Sequence, residues 1–282
     1  ADIDEKTLNI DPESIRARIT PRTRAIIPVH FAGRPCDMDA IMAIAEEHDL
    51  LVIEDCAHAI ESEWKGKATG TFGDYGCFSF YVTKNVVTGE GGMVLSKTPE
   101  KIDRIKVLSL HGMSRDAWHR FGDEGYKHYL VVDAGYKYNM MDIQAAIGLH
   151  QLARVEQSWK RRQEIWGMYQ EAFSHLPVLR PSEPDLDSRH AYHLYTLRIR
   201  QALCNVTRDG FIQQMTANGI GVGVHYHALT EHPFYQQRYG WQASDCPRAT
   251  SVGRETVSLP LSPALGDRDV ERIIGVVRGI LD

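Results

Sequence analysis

The sequence has few cysteines, no long apolar run and no excess of positive charge. Its five cysteines are odd in number and scattered, so they indicate neither a disulfide framework nor a paired-cysteine zinc motif. No apolar run approaches the roughly 18 residues that a membrane span requires. The net charge of −5 gives no electrostatic case for binding nucleic acid or an anionic membrane. The polar opening ADIDEKTLNIDPES does not resemble a secretory signal. We therefore expect a protein of the reducing cytoplasm, without nucleic acid or membrane partners.

The bulk composition is that of an ordinary globular protein. The chain has 282 residues, of which 43% are hydrophobic and 24% charged, enough for a sizeable core in one or two domains. The sequence does not begin with Met, and its first segment soon becomes a predicted strand. We therefore expect the numbering to cover only part of a longer protein.

Short apolar runs alternate with helical patterns in the first half. Strands are predicted over 24–31, 50–55, 75–81 and 92–96, and helices over 36–50 and 99–110. In the first helix the apolar residues Met38, Ile41 and Ile44 recur at helical spacing, and Asp37 or Asp39 is positioned to cap it. Strands that alternate with helices indicate parallel βαβ units and an α/β fold.

The second half predicts a smaller α+β domain. A long helical stretch runs from Met141 to about Leu176, and its charged second half suits a helix that bridges two domains. Beyond it, the patterns predict strands over 191–199 and 222–229 and helices over 208–220 and 267–281. We place the domain boundary at residue 155, which gives domains 1–155 and 156–282.

Lys84 follows a strand-like run, FSFYV, and precedes the glycine-rich turn GEGG. A lysine at a strand end is usually a solvated surface residue. Here both flanks are apolar, and the glycines allow the backbone to approach a ligand closely. Partial desolvation would lower the pKa of this lysine and make it a nucleophilic amine, as a Schiff base requires.

Asp55 ends the apolar run LLVIED, and ligands of open α/β sheets bind beyond the carboxyl ends of the strands. One interpretation is that this acid only caps the next helix. The other is that it pairs with the ring nitrogen of pyridoxal phosphate, whose protonated pyridine acts as an electron sink. A reactive lysine and a strand-end aspartate together are what such an enzyme needs.

Several blocks of the sequence closely resemble the DegT/DnrJ/StrS-type sugar aminotransferases. The main block is VIEDCAHAIESEWKGKATGTFGDYGCFSFYVTKNVVTGEGGMVLS; IIPVHFAGRPCDMDAI precedes it, and HGMSRDAW, GYKYNMMDIQAAIGLHQL and VGVHYHALTEHPFY follow it in the family's order. The resemblance implies pyridoxal phosphate as cofactor and fold type I, with a mainly parallel central sheet, flanking helices and a smaller C-terminal α+β domain. It also implies transfer of an amino group from glutamate to a keto group of a nucleotide-linked deoxysugar. Residues 1–155 would then be the C-terminal portion of the large cofactor-binding domain.

The resemblance implies cofactor roles for five residues of the main block. Lys84 would be the Schiff-base lysine and the proton shuttle, and Asp55 would pair with the pyridine nitrogen. Ala57 would pack on the ring face, His58 would contact the side of the phenolic oxygen, and Ser79 would donate to the phosphate.

Lys137 and Asn139 lie in the GYKYNM block, which in relatives reaches the neighbouring subunit's site near the phosphate. The resemblance therefore implies a homodimer with shared active sites. Many relatives have Asn at the first of these positions and Arg at the second, so this sequence departs from the family pattern there.

Substrate contacts are expected from two segments. His225 and Tyr226 match the VHY block near the substrate, although HALTEH departs from the commoner Pro-Leu-His version. The basic loop from His111 holds Arg115 and Arg120, which are suited to a diphosphate unless they are simply solvated. The family normally opens with a helical arm and a phosphate-binding Gly-Thr turn, and nothing before residue 20 matches either, so we expect the N-terminal part of the large domain to be missing.

Three other functions remain as alternatives. A metal hydrolase would use the histidines near Tyr226 or the Cys56–His58 pair, but no HExxH or paired-cysteine spacing is present, and we expect no metal. A nicotinamide enzyme is disfavoured because GEGG lacks the G-x-G-x-x-G spacing and a strand follows it. A non-catalytic, ligand-binding or regulatory member of the same fold stays open. So does a sugar dehydratase dependent on pyridoxal phosphate, although that branch replaces the lysine with histidine and Lys84 argues against it.

Overall fold

The computed structural model describes residues 1–114 and 129–281. Its helices are α1 (Pro12–Arg18), α2 (Met38–Glu47), α3 (Pro99–Ser109), α4 (Asp142–Ala153), α5 (Val155–Ala172), α6 (Arg208–Ala217), α7 (Pro233–Tyr239), α8 (Pro247–Glu255) and α9 (Asp267–Leu281). Its strands are β1 (Ala25–Ile26), β2 (Leu51–Asp55), β3 (Glu63–Trp64), β4 (Lys67–Ala68), β5 (Tyr75–Ser79), β6 (Gly92–Leu95), β7 (Ser188–Arg189), β8 (Tyr195–Arg198) and β9 (Thr256–Leu259).

The central sheet has the strand order β1-β2-β5-β6. The first two pairings are parallel, and β6 runs antiparallel to β5. The carboxyl ends of β2 and β5 therefore lie at the same edge of the sheet, where Asp55 pairs in register with Cys77 and Ser79 ends β5. The predicted α/β fold with a mainly parallel central sheet is confirmed, and its carboxyl edge is where ligands of open sheets bind.

The first strand is shorter than its apolar sequence predicts. Only Ala25 and Ile26 form β1, although the pattern extends over 24–31. Pro28 has no N–H to donate to a neighbouring strand, and Ile27 is 58% exposed. The chain returns to the sheet through a single bridge between Val29 and Asp55, so this segment reaches the site edge as irregular backbone.

One face of α2 forms the core beneath the central sheet. Asp37 caps the helix by accepting a hydrogen bond from the Ala40 N–H, as the sequence predicts. Met38, Ile41 and Ile44 are fully buried against residues of β1 and β2. Each contributes about 1.5–3 kcal/mol by leaving water, which holds the sheet edge in place.

The second half of the chain packs around its own apolar cluster. Tyr169, Phe173 and Tyr195 pack against one another at ring-centroid distances of 5.0–6.2 Å, in one cluster with residues of α6, α9 and the β8–β9 pair. The helix predicted from Met141 is broken at Arg154 into α4 and α5. This cluster is distinct from the one under the central sheet, and the domain boundary at residue 155 stays a prediction.

Of two strand predictions in this half, one is too long and the other is wrong. The half-buried strand over 191–199 is only four residues, β8, and all four are buried. Arg198 is buried there because its guanidinium pairs with Glu5 and Glu255. The segment 222–229 forms no strand, and only Gly223 bridges to the sheet.

Several contacts join the halves of the chain, among them a strand pairing and a buried arginine. The β3–β4 hairpin pairs with β7, which brings residues 63–68 against 188–189. The buried Arg34 donates hydrogen bonds to the carbonyls of Ser182 and Glu183 and pairs with Asp185. Among the described helices, none is both long enough and apolar enough to cross a membrane.

Candidate active site

The connection between β5 and β6 is a compact loop that carries Lys84. The Phe80 N–H donates to the Gly91 carbonyl at 2.8 Å and closes the loop, and the Lys84 N–H donates to the Tyr81 carbonyl at 2.9 Å. Gly89 has a φ of +84°, a left-handed conformation that glycine adopts without strain. The glycine-rich turn therefore holds the lysine at the end of β5, beside the carboxyl edge of the sheet.

The Lys84 side chain is partly buried and contributes to the walls of two cavities, of about 820 and 790 Å³. Burial lowers the pKa of Lys84, and the nearby charge of Asp55 opposes part of that shift. A lower pKa increases the fraction of neutral amine near physiological pH, which is the nucleophilic form. The position thus suits a reactive lysine rather than a solvated one.

Asp55 faces the same 820 Å³ cavity as Lys84. Its Oδ1 accepts a hydrogen bond from the Ala57 N–H at 3.0 Å, which orients the carboxylate and brings Ala57 into the cavity wall. Within residues 1–114 and 129–281, Oδ2 has no protein hydrogen bond. One carboxylate oxygen therefore remains to receive a proton donor in the cavity.

His58 is a buried, neutral ring in the wall of this cavity. Its Nδ1 accepts a hydrogen bond from the Ala32 N–H at 3.3 Å, so the ring proton lies on Nε2. Burial, with smaller effects of the Lys84 and His225 charges, lowers the pKa of His58 to about 3. The ring stacks on Tyr226 at a centroid distance of 6.4 Å, which keeps it aligned, and its lowered pKa keeps it uncharged.

Ser79 lies next to this cavity rather than in its wall. It lines a smaller cavity of about 280 Å³ that shares Asp55 and Ala57 with the larger one. Its hydroxyl oxygen accepts a hydrogen bond from the Tyr81 N–H at 3.3 Å. Ser79 therefore lies at the carboxyl end of β5, and its cavity adjoins the one that Lys84 shares with Asp55.

The two predicted substrate residues of the VHY block both lie near Lys84. Tyr226 lines the 820 Å³ cavity, and Asp55 helps burial raise its pKa. His225 shares a hydrogen bond of 2.8 Å with the Ser258 hydroxyl. Burial and the charge of Lys84 lower the pKa of His225.

Two predicted residues are not brought to Lys84 within this chain, and two others cannot be placed. Lys137 is exposed and donates a hydrogen bond to the Asn139 side chain, and neither lines a cavity at Lys84. Arg115 and Arg120 lie outside the described residues.

Three further residues reach the site without having been predicted. Phe31 lines the cavity and packs edge-on against Tyr226 at 6.4 Å, and its place at the end of an apolar run was a usable signal. Asn85 and His193 lie in the wall of the 790 Å³ cavity. Asn85 follows Lys84 directly in the sequence, but nothing in the local pattern marks His193.

A buried group of His30, Glu54 and Cys56 has ligand atoms within 4.8 Å of one another, close enough for a metal ion. The Glu54 carboxylate is already satisfied, since it accepts from His30 Nε2. It also accepts the backbone N–H groups of Gly70, Phe72 and Gly73. Together these hydrogen bonds outweigh burial and lower the pKa of Glu54. The group therefore fastens the loop 70–73 to β2, and the absence of a metal stays a prediction.

A lysine and a strand-end aspartate that face one cavity at the carboxyl edge of this sheet define a pyridoxal phosphate-dependent transferase of fold type I. The chain belongs to the DegT/DnrJ/EryC1/StrS aminotransferase family, whose model matches residues 1–278. The resemblance first indicated by the sequence blocks is thereby confirmed.

Individual relatives are named for sugar chemistry. The chain is 48% identical to the spore coat polysaccharide biosynthesis protein SpsC of Bacillus subtilis over 282 residues, which is 100% of this chain and 72% of SpsC. It superposes on a putative sugar aminotransferase of Streptococcus pneumoniae, Spr1654, solved in its PMP form, with a TM-score of 0.89 and 29% identity over 99% of this chain and 73% of that one. It also superposes on Helicobacter pylori PseC, an aminotransferase of pseudoaminic acid biosynthesis, with a TM-score of 0.91 and 26% identity over 100% of this chain and 72% of that one.

The residues at the cavity fit this cofactor. Lys84 supplies an amine, and the free Oδ2 of Asp55 supplies an acceptor for a protonated ring nitrogen. His58 adds a neutral N–H donor, and the methyl group of Ala57 adds a small apolar surface. This donor set matches an aldehyde, a pyridine nitrogen and a flat ring, and it does not match a metal ion.

Proposed function

We propose that this protein transfers an amino group from glutamate to a keto group of a nucleotide-linked deoxysugar, with Lys84 as its catalytic residue. The observation that carries the proposal is the partly buried Lys84 amine between two cavities, one of which it shares with the Asp55 carboxylate. The sugar specificity is supported by the names of SpsC and PseC, which concern polysaccharide and pseudoaminic acid biosynthesis.

Lys84 and Asp55 perform the two central tasks. Lys84 would hold the cofactor through Nζ, and the same amine in its neutral form would take up and return the proton of the substrate carbon. The bound cofactor supplies an electron sink for the negative charge that develops at that carbon. Asp55 Oδ2 holds a proton on the pyridine nitrogen, which maintains the sink.

Three neighbours orient the ring. His58 donates its Nε2 proton on the side of the phenolic oxygen, and its lowered pKa keeps it from adding a positive charge beside Lys84. Ala57 packs on the ring face. Ser79 donates its hydroxyl to the phosphate from the adjoining cavity, whose wall it shares with Asp55 and Ala57.

The substrate contacts are assigned to Tyr226 and His225 for the sugar and to Arg115 and Arg120 for the diphosphate. Tyr226 supports its assignment by lining the cavity of Lys84 with an exposed ring. The arginine assignment depends on the sequence alone. It is supported by the chemistry of guanidinium groups, which bind phosphate oxygens through paired hydrogen bonds.

The substrate class is tested by a single half-reaction on the full-length protein. Cofactor converted to its amine form with glutamate should return to the aldehyde form when a nucleoside-diphosphate 4-ketosugar or 3-ketosugar is added. The visible absorbance of the cofactor reports this return. The same ketosugar without its nucleotide serves as the control and should act more slowly, because the diphosphate contacts are lost. Reversal by simple 2-oxo acids only, with no competition from nucleotide sugars, would show an ordinary amino acid aminotransferase instead.

A homodimer with shared active sites is part of the proposal. Ile143 and Ile147, one helical turn apart on α4, are 72% and 44% exposed, and Leu149 and Leu152 are exposed on the opposite side of the same helix. Such exposed apolar surface is typical of a protein interface. Pairing there would carry Lys137 and Asn139 on the preceding segment towards the partner's site.

Shared sites predict complementation between inactive subunits. Lys84→Ala protein, which is inactive alone, and Lys137→Ala protein, which is impaired alone, should regain activity when mixed, because one site per mixed dimer has both lysines. The gain is measured by comparing the activity of the mixture with that of the same amount of each variant alone. A monomer in sedimentation, together with no gain on mixing, would exclude shared sites.

A further inference from the structure

A buried ion pair links α5 to the turn that follows β2. Arg162 in α5 donates a hydrogen bond to the Glu61 carboxylate, and the two side chains are 2% and 1% exposed. Burial raises the pKa of Glu61 and lowers that of Arg162, and each partner opposes the shift of the other. A buried pair of charges is costly unless further hydrogen bonds satisfy it. The second carboxylate oxygen of Glu61 therefore needs a hydrogen-bond donor of its own.

That oxygen is held by Asn85, the residue next to Lys84. Asn85 Nδ2 donates to Glu61 Oε2 at 2.8 Å and to the Ala191 carbonyl at 3.2 Å. Both acceptors are oxygens, so the orientation of the amide is determined and Oδ1 is left as the acceptor. The side chain beside the reactive lysine is thus attached at two points to distant parts of the chain.

The remaining oxygen of Asn85 determines the state of His193. Oδ1 lies 2.9 Å from His193 Nδ1, which must therefore carry the ring proton and leave Nε2 as an acceptor. The His193 ring packs on His58 at 4.2 Å. Burial lowers the pKa of His193 well below its usual value, so the two rings are neutral together.

We propose that Glu61, Asn85 and His193, anchored by Arg162, are positioning residues. They hold the side chains of Lys84 and His58 in fixed positions relative to each other in the wall of the active site. The inference rests on the proposed function only in taking Lys84 as the reactive amine. None of these residues is assigned contact with substrate. Asn85 acts on Lys84 through the shared backbone of the loop, and His193 acts on His58 through ring packing.

The network differs from other buried links between the same halves of the chain. Arg34 also joins them, through Ser182, Glu183 and Asp185, but it does not line either cavity at Lys84. Loss of a link that is needed only for stability, as we expect for Arg34, should destabilise the fold without changing the reactivity of Lys84. A link that positions the lysine should alter how the lysine reacts, since misplacement by about 1 Å costs roughly a hundredfold in rate.

Asn85→Leu tests the proposal because leucine has nearly the shape of asparagine and makes none of its hydrogen bonds. His193→Phe tests it from the other end, since phenylalanine keeps a ring on His58 without the bond to Asn85. The readout is the pH dependence of Lys84 acylation in the cofactor-free protein, measured by mass spectrometry of the peptide that carries it. Both variants should shift the midpoint upward by about one pH unit as the loosened lysine gains solvent.

The groups that face Lys84 are unchanged in Asn85→Leu, so the shift cannot come from a lost charge. They are Asp55, His58, His193 and His225, with Arg154, Arg161 and Arg162 across the second cavity. In the holoenzyme, kcat should fall by about ten- to a hundredfold with little change in KM. Arg34→Met is the matched control, and it should lower the unfolding temperature while leaving the acylation profile unaltered.

Two results would overturn the inference. One is an acylation profile in both Asn85→Leu and His193→Phe that superposes on the parent profile. The other is an equal shift in Arg34→Met, which would make the effect one of general stability. Should Asn85→Leu not fold, His193→Phe decides alone. Full activity of Lys84→Ala would refute the proposed function instead, and the acylation profiles would still report on whether the network positions Lys84.

Discussion

Lys84→Ala is expected to abolish transamination, with a loss of at least about four orders of magnitude in kcat, because one residue both binds the cofactor and moves the proton. Borohydride treatment of the parent protein should fix the cofactor to the peptide that contains Lys84, and mass spectrometry would locate it. The variant should show neither this adduct nor the half-reaction with glutamate. Its fold should persist, since the loop is closed by backbone hydrogen bonds such as that from Phe80 to Gly91.

Lys106→Ala is a suitable control for this experiment. Lys106 is an exposed lysine in α3, and its loss should leave both the adduct and turnover unchanged. Near-normal turnover by Lys84→Ala, with the adduct formed at another lysine, would show that the reactive amine has been assigned wrongly.

Asp55→Asn is expected to retain part of the bound cofactor but to lose activity by at least about a hundredfold. The amide has the same shape, and it still accepts the Ala57 N–H through its oxygen. It cannot hold a positive charge on the pyridine nitrogen, so the ring is a poorer electron sink. Cofactor content and the rate of the glutamate half-reaction, measured on the same sample, separate binding from chemistry.

Asp74→Asn is the matched comparison for Asp55. Asp74 precedes β5 and lies at the opposite edge of the same sheet, where it accepts from the Val52 N–H and pairs with Lys101. Its replacement should reduce stability slightly and leave the half-reaction unchanged. Similar small losses of activity in both variants would mean that Asp55 serves only to cap the chain after β2.

Much of the fold and part of the site were predictable because they depend on short-range patterns. The apolar spacing in α2, its cap at Asp37 and the bounds of α9 follow from residues within a few turns of one another. The position of Asp55 was predictable because a charged residue that ends an apolar strand must lie at the carboxyl edge of a parallel sheet. Lys84 could be proposed as the reactive amine because the residues on both sides of it are strand-like or glycine-rich.

Other features depended on partners far away in the chain. The apolar run over 24–31 forms only a two-residue strand, since Pro28 lacks an N–H donor. Strand β8 is buried throughout because the guanidinium of Arg198 pairs with Glu5 and Glu255. Apolar and polar residues alternate around Tyr226 as they do in a strand, yet among the described residues the segment pairs with a strand only through the bridge from Gly223 to Ser258.

The fold class and the family were recognisable in the sequence, which also singled out Lys84 and Asp55 as candidates for the site. The surroundings of these two residues depend on the folded chain. Asn85 donates a hydrogen bond to Glu61, 24 residues away, and accepts one from His193, 108 residues away, and Arg162 is 101 residues from Glu61. Burial of a polar group is tolerable only where packing brings it a partner. A local pattern shows which residues can be buried, but the partner that makes burial stable is found only when the chain is folded.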